Sequence, residues 1–206
     1  MSTAPQIETV QNNHEKYLNY RSLMGRYKKA VSEGFYFEAL LIDYAMLEDR
    51  LKSFLYHIGA VNLYSYEISI PACTSAFYKE IYGKITAKNL KNIGVKIELI
   101  RSVLKWAETD DEIEENRKYP AALKKHCRRQ LNITEFLEKL DELDHWRNSR
   151  NDIIHALMNK RYQAVSEQSQ EIVLKGMELA RYIDRQTDNI RKWGYIRKSM
   201  EPVRKE

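Results

Sequence analysis

The sequence predicts an all-α protein folded as an up-and-down helical bundle. Three observations carry this. Turn formers are scarce, with 7 Gly and 4 Pro among 206 residues, while Lys, Glu, Leu, Ile and Arg are plentiful; strand-rich folds need more turn residues. Apolar residues recur at spacings of three and four through most of the chain, the period of an amphipathic helix. Caps and glycines punctuate these segments where helices should begin or end.

The elements follow in order. Residues 1–13 are polar and are expected to be flexible. From about His14 to Glu33, the residues Tyr17, Tyr20, Leu23, Met24, Tyr27 and Val31 keep helical spacing, and Gly34 punctuates. A stronger helix is expected from about Phe35 to Ile58, ending at Gly59. Residues 60–92 are the least regular part, with Pro71, Gly83 and a short helix near 74–82. A helix from about Ile93 to Ala107 precedes the acidic ETDDEIEE, and Tyr119-Pro120 opens another helix with a basic surface. LNITEFLEKL reads as a helix start, with Asn132 as N-cap, Glu135 three residues on, and Leu131 and Phe136 spaced as a hydrophobic staple. No Gly or Pro then intervenes before Arg161, so one long or slightly broken helix is expected there. A last helix spans roughly Ala164 to Arg197, weakened at Gly176. No repeat or linker divides the chain, so a single domain is expected.

Composition narrows the function classes. With 43% hydrophobic and 31% charged residues, the chain has a soluble globular composition. A net charge of +5 and a pI of about 9.0 are compatible with a polyanionic partner or with ordinary solubility. Cys73 and Cys127 lie far apart without CxxC spacing, so neither a disulfide framework nor a zinc site is suggested. The N-terminus lacks signal-peptide character, and no apolar run is long enough for a membrane span, so a cytoplasmic location is expected. No P-loop, no GxGxxG after a strand and no HExxH helix is present, and neither a metal nor a cofactor is expected.

Two polar intrusions carry the candidate chemistry. On a helical wheel with Phe37 at the origin, Leu41, Tyr44, Leu51 and Leu55 fall within about 40°. Glu48 falls at about +20°, inside that stripe, so it should be neutral or paired. Asp43, Asp49 and Arg50 fall on the other face and are expected to be solvated. The second intrusion is the stretch RNSRNDIIHAL, residues 147–157. With Ile153 at the origin, Leu157 lies at about 40° and Arg150 at about 60°, so Arg150 also falls inside the apolar arc. Asn151 and His155 are four residues apart and share one edge. Two charges of opposite sign on buried faces admit a structural reading, a Glu48–Arg150 ion pair that sets helix register. They also admit a chemical one. Arginine grips a phosphate in fork geometry. Histidine moves protons near neutral pH, and Asn151 can orient the imidazole or a phosphate oxygen. Such a set suits attack by an RNA 2′-hydroxyl on its own phosphodiester, for which RNA supplies the nucleophile.

Arg150-Asn151-Asp152-Ile153-Ile154-His155 matches R-N-x-x-x-H, a form of the R-x(4–6)-H motif of HEPN domains (higher eukaryotes and prokaryotes nucleotide-binding). EALLIDYAMLEDRLKSFL resembles the long second helix of that family, with its acidic residue facing inward. The resemblance covers roughly 14–58 and 130–198, and residues 60–129 read as a helical insertion. It is nearest to the abortive-infection type. It implies a HEPN-type bundle and a metal-independent endoribonuclease of single-stranded RNA, in phage defence or a toxin–antitoxin module. It also implies a homodimer with the motif at the interface, restrained by an antitoxin or a regulatory protein or RNA. Carried over, Arg150 binds the scissile phosphate, His155 acts in proton transfer or orientation, and Asn151 supports them. A homodimer would ease one difficulty: Arg150 and His155 are about 140° apart on a straight helix. Some family toxins carry a tyrosine two residues after the histidine, modified by a partner enzyme; Leu157 stands there, and such control is not expected.

Glu48 and Arg147 are supporting candidates. Lys124, Lys125, Arg128 and Arg129, with the C-terminal RKWGYIRKSMEPVRKE, are candidates to guide RNA backbone or are solvated faces. His126-Cys127 suits neither a metal site nor a reactive thiol. The alternatives to the nuclease are a non-catalytic helical module that binds RNA or protein, and a regulatory partner in a two-gene system.

Overall fold

The computed structural model describes residues 10, 12–61, 72–113 and 117–191. Among them every regular element is helical: α1 Asn13–Ser32, α2 Tyr36–His57, α3 Ala72–Tyr82, α4 Ile93–Glu108, α5 Lys118–Gln130, α6 Ile133–Ala156 and α7 Tyr162–Arg191, with a single 3₁₀ turn at Asn89–Lys91. The all-α class is therefore as expected. Most of the expected frayed terminus, and the C-terminal basic stretch beyond Arg191, lie outside the described residues.

Local chemistry explains the boundaries. Asn12 caps α1 through its side chain, which accepts from the Glu15 N–H at 3.0 Å. Gly59, at φ +80°, takes the left-handed conformation that ends α2, and the Ala60 N–H turns back to the Leu55 carbonyl at 2.8 Å. Asn132 caps α6, accepting from the Glu135 N–H at 3.3 Å, while Leu131 and Phe136 are both buried beside it.

Interhelical pairs give the topology. Lys16 and Tyr20 of α1 meet Asp49 of α2, so these two run antiparallel. Asp43 of α2 faces Gly176 of α7 and Arg50 pairs with Asp184 at 2.8 Å, so α2 and α7 run parallel. α6 is antiparallel to α7, with Trp146 bonded to the Ile172 carbonyl at 2.8 Å and Phe136 edge-on to Tyr182. α4 lies antiparallel to α6 through Arg101–Asp141 at 2.9 Å. One continuous apolar core joins all seven helices. The described helices between residues 72 and 130 are thus built into it: Ile97, Ile100, Val103 and Leu104 of α4 are fully buried. Tyr78 of α3 and Tyr119 of α5 both donate to the Ile58 carbonyl at the end of α2.

Two expectations are corrected. α6 stops at Ala156 instead of running on towards Arg161. Its last fully buried residue is Ile153, Ala156 and Leu157 are only partly covered, and Met158 is 92% exposed. The chain then reverses so that α7 can pack back on α6 at Trp146. The phase of α2 also differs. Its buried residues are Ala39, Leu40, Asp43, Met46, Leu47, Leu51, Phe54 and Leu55. The centre of this arc lies about 100° from Phe37, and Leu41 is exposed. Asp43, expected in solvent, is fully buried.

Asp43 sits where α2, α6 and α7 meet. A Cβ added at Gly176 would lie 2.8 Å from Asp43 Oδ2 and 2.8 Å from Trp146 Nε1, so only glycine allows this approach. Neither carboxyl oxygen has a hydrogen-bond partner. Burial pushes the Asp43 carboxyl up to about 8, against the opposing pull of Arg181. Since the folded state holds this proton more tightly than the unfolded chain, the associated stability is fully present below the unfolded value near 4. It is lost as pH rises through about 8. Asp43→Asn should flatten that dependence and raise Tm at pH 9, by roughly 2–4 °C for each kcal/mol recovered. Thermal melts across pH check this, and parallel curves for the two proteins would contradict it.

Candidate functional site

α6 presents the motif. Its first turns are held by Ile133, Phe136, Leu140, Leu143 and Trp146, all buried, and Ile153 resumes the stripe. Arg150 occupies the gap between Trp146 and Ile153, as its position on the wheel implied, and is half-buried. Its guanidinium stacks on Tyr44 of α2, with Cζ 4.3 Å from the ring centroid. Arg150 Nη1 donates to Asn151 Oδ1 at 3.0 Å, and its buried Nε has no acceptor. Among the described residues no carboxylate pairs with it.

The expected structural partner is engaged elsewhere. Glu48 Oε1 accepts from Lys96 Nζ of α4 at 2.7 Å, so the Glu48–Arg150 pair is replaced by Glu48–Lys96. The reason is burial. The Lys96 side chain is 1% exposed and Glu48 is 37% exposed. A buried ammonium without a counter-ion is far more costly than a half-buried guanidinium resting on a ring. Sequence reading missed Lys96, although the signal was there. It falls between Ile100 and Val103 on the wheel, inside the buried arc that also holds Leu99, Leu104 and Ala107. Tyr44 was read as a core residue; it is the platform for Arg150. Burial pushes its phenol above the usual tyrosine range, Glu48 adds to that push, and Arg150 and Arg147 oppose it. All three charges therefore act on one ring.

Arg147 stands one turn before Arg150, on the α4 side. It donates to Asp144 from Nε at 3.0 Å and from Nη2 at 2.9 Å, and its guanidinium lies against Gly94 at the start of α4. Its charge is thus partly matched already. Asn151 is half-buried beside Arg150. His155 is exposed in the last turn of α6; its carbonyl accepts from Asn159 Nδ2 at 3.4 Å, and its side chain makes no hydrogen bond among the described residues. The fold therefore brings Tyr44, Arg147, Arg150 and Asn151 to one region, with the Glu48–Lys96 pair beside them. Among the described residues no hydrogen bond or ion pair ties the His155 side chain to Arg150, though it stands one turn beyond Asn151 on the same edge of α6.

The basic residues of α5 divide. Lys124 is buried, donating to Thr109 Oγ1 and the Asp111 carbonyl at 3.1 Å each, and lies over the Trp106 ring. Arg128 donates to the carbonyls of Ala107, Glu108 and Thr109, closing the C-terminus of α4. These two do structural work. Lys125 and Arg129 are exposed, in a groove that also holds Asp110, Asp111 and Glu112. Cys127 is fully buried and its thiol is pushed up to about 12 by burial, which leaves it inert. His126, also buried, donates to the Ile190 carbonyl at 3.0 Å. A groove of about 680 Å³ runs between α6 and α7, with Trp146 and Ile172 at its base and Glu138, Asp141, Glu142 and Glu171 around it. It excludes the motif residues, and its acidic rim disfavours a polyanion.

No family model, no curated protein and no solved structure matches the chain.

The Glu48–Lys96 pair has an asymmetric consequence. Glu48→Gln leaves the buried Lys96 ammonium without its counter-charge and should destabilise the fold by about 2–4 kcal/mol. Lys96→Met fills the same space and leaves only a half-exposed carboxylate, so it should cost about 1 kcal/mol or less. Denaturant unfolding of both variants measures the difference; equal costs would contradict the assignment of burial to Lys96.

Proposed function

We propose that the protein is a metal-independent endoribonuclease of the HEPN type that cleaves single-stranded RNA, acting as a homodimer in phage defence or a toxin system. One observation carries this reading. Arg150 is a half-buried cation, oriented by a ring and an amide, with no carboxylate among the described residues to neutralise it. A guanidinium in that position is suited to an incoming phosphate, which it can grip through two N–H groups. Asn151 fixes its edge, and Arg147 adds positive potential one turn away.

In the proposed reaction the RNA 2′-oxygen attacks phosphorus. An O2′–P bond forms, the P–O5′ bond breaks, and a 2′,3′-cyclic phosphate and a 5′-hydroxyl result. The 2′-hydroxyl gives up its proton and the 5′-oxygen gains one. Arg150 binds the non-bridging oxygens, on which charge accumulates. His155 is the residue for proton transfer. Its exposure at the end of α6 fits a site completed by a second copy, where one chain's His155 meets the other's Arg150. Met158 and Tyr162, 92% and 74% exposed, supply apolar surface beside it for such a contact.

A second reading rests on the position of His155, about 140° round α6 from Arg150. It makes the protein a helical module that binds RNA without cutting it, or a regulatory partner in a two-gene system. The two are distinguished by incubating wild type, Arg150→Ala and His155→Ala with single-stranded RNA in chelator. The nuclease reading expects cleavage by wild type and a loss of roughly a hundredfold or more in each folded variant. Equal cleavage by all three would sink it. Binding without cleavage by wild type would favour the module.

A further inference from the structure

We propose that Lys96 is a positioning residue which keeps Arg150 available to phosphate by holding Glu48 away from it. This deepens the ribonuclease reading and rests on it.

Glu48 lies one turn beyond Tyr44 on the same side of α2, the spacing at which side chains are neighbours. Arg150 rests on Tyr44 at 4.3 Å. Glu48 is therefore the α2 carboxylate beside Arg150, and in the absence of another cation an arginine–glutamate pair is the expected outcome. Lys96 changes that outcome. It reaches Glu48 from α4, at 2.7 Å, out of the centre of an apolar stripe. Because the Lys96 side chain is 1% exposed, it has no water to turn to and competes for Glu48 more strongly than Arg150 does. Asp144, on the preceding turns of α6, is held by Arg147 at 2.9 Å. Glu48 and Asp144 are thus each matched to a cation other than Arg150. The pairing leaves the guanidinium nearest the motif uncompensated. A plain buried ion pair would need no such sorting.

The inference is tested by binding of a fully 2′-O-methylated single-stranded oligonucleotide, which cannot be cleaved, so that affinity is read without turnover. Lys96→Met should weaken binding roughly tenfold or more, because released Glu48 pairs with Arg150. Lys96→Met/Glu48→Gln should return it to within about threefold of wild type, since no competing carboxylate remains. A role of Lys96 in packing alone would not be rescued in this way. Circular dichroism and melting curves establish that each variant is folded. Unchanged affinity in Lys96→Met, or a loss that persists in the double variant, overturns the proposal. Arg150→Ala separates the two levels. If it weakens binding while Lys96→Met does not, charge sorting fails and the phosphate reading stands. If it binds as wild type does, both fail.

Discussion

The buried ammonium of Lys96 organises the candidate site. Lys96 projects from the middle of the apolar face of α4 and reaches Glu48 on α2 at 2.7 Å. That contact fixes α4 against α2, and α4 is also held antiparallel to α6. The pair therefore sets where α6 carries Arg150. With Glu48 engaged, Arg150 settles on the Tyr44 ring and takes its edge orientation from Asn151. The positive charge that gives the region its proposed role follows from a packing problem solved on a different helix.

α2 carries a second acid whose environment produces the opposite result. Asp43 is only five residues before Glu48, yet it faces α7 and Trp146, with no donor for either oxygen. Its carboxyl is held neutral by burial. Glu48 stays half-exposed beside Lys96. One acid is thus a folding element that trades charge for close packing at Gly176, and the other is a counter-ion. The rotation between them on one helix decides which is which, and the helix bundle supplies that rotation.

Much of the fold was legible because helix boundaries are written locally. Gly34 and Gly59, the Asn132 cap, and the Leu131 and Phe136 staple are short-range signals, and each marks a boundary where one is found. The phase of α2 was not legible in the same way. Phe37, Leu41 and Tyr44 are apolar but line the edge of the buried arc, where an amphipathic ring or a half-covered leucine is tolerated. Counting them drew the stripe away from Leu40, Leu47 and Phe54 and placed Asp43 in solvent. The end of α6 escaped as well. No Gly or Pro marks it; burial thins out after Ile153, and the helix ends at Ala156. At the candidate site, Arg150 and Asn151 were readable from their place on α6. The Glu48–Lys96 pair joins residues 48 apart in sequence, and only tertiary packing shows which cation wins.

The region that results holds one side chain in an unusual electrostatic position, and the central claim is that Arg150 is a phosphate ligand. Its most direct test is the salt dependence of single-stranded RNA affinity. Each phosphate contact contributes about 0.7 to the slope of log affinity against log salt. The account predicts that Arg150→Ala lowers the magnitude of that slope by about 0.7 per chain and weakens binding at every salt concentration. Identical slopes and affinities for the variant and the wild type would contradict it.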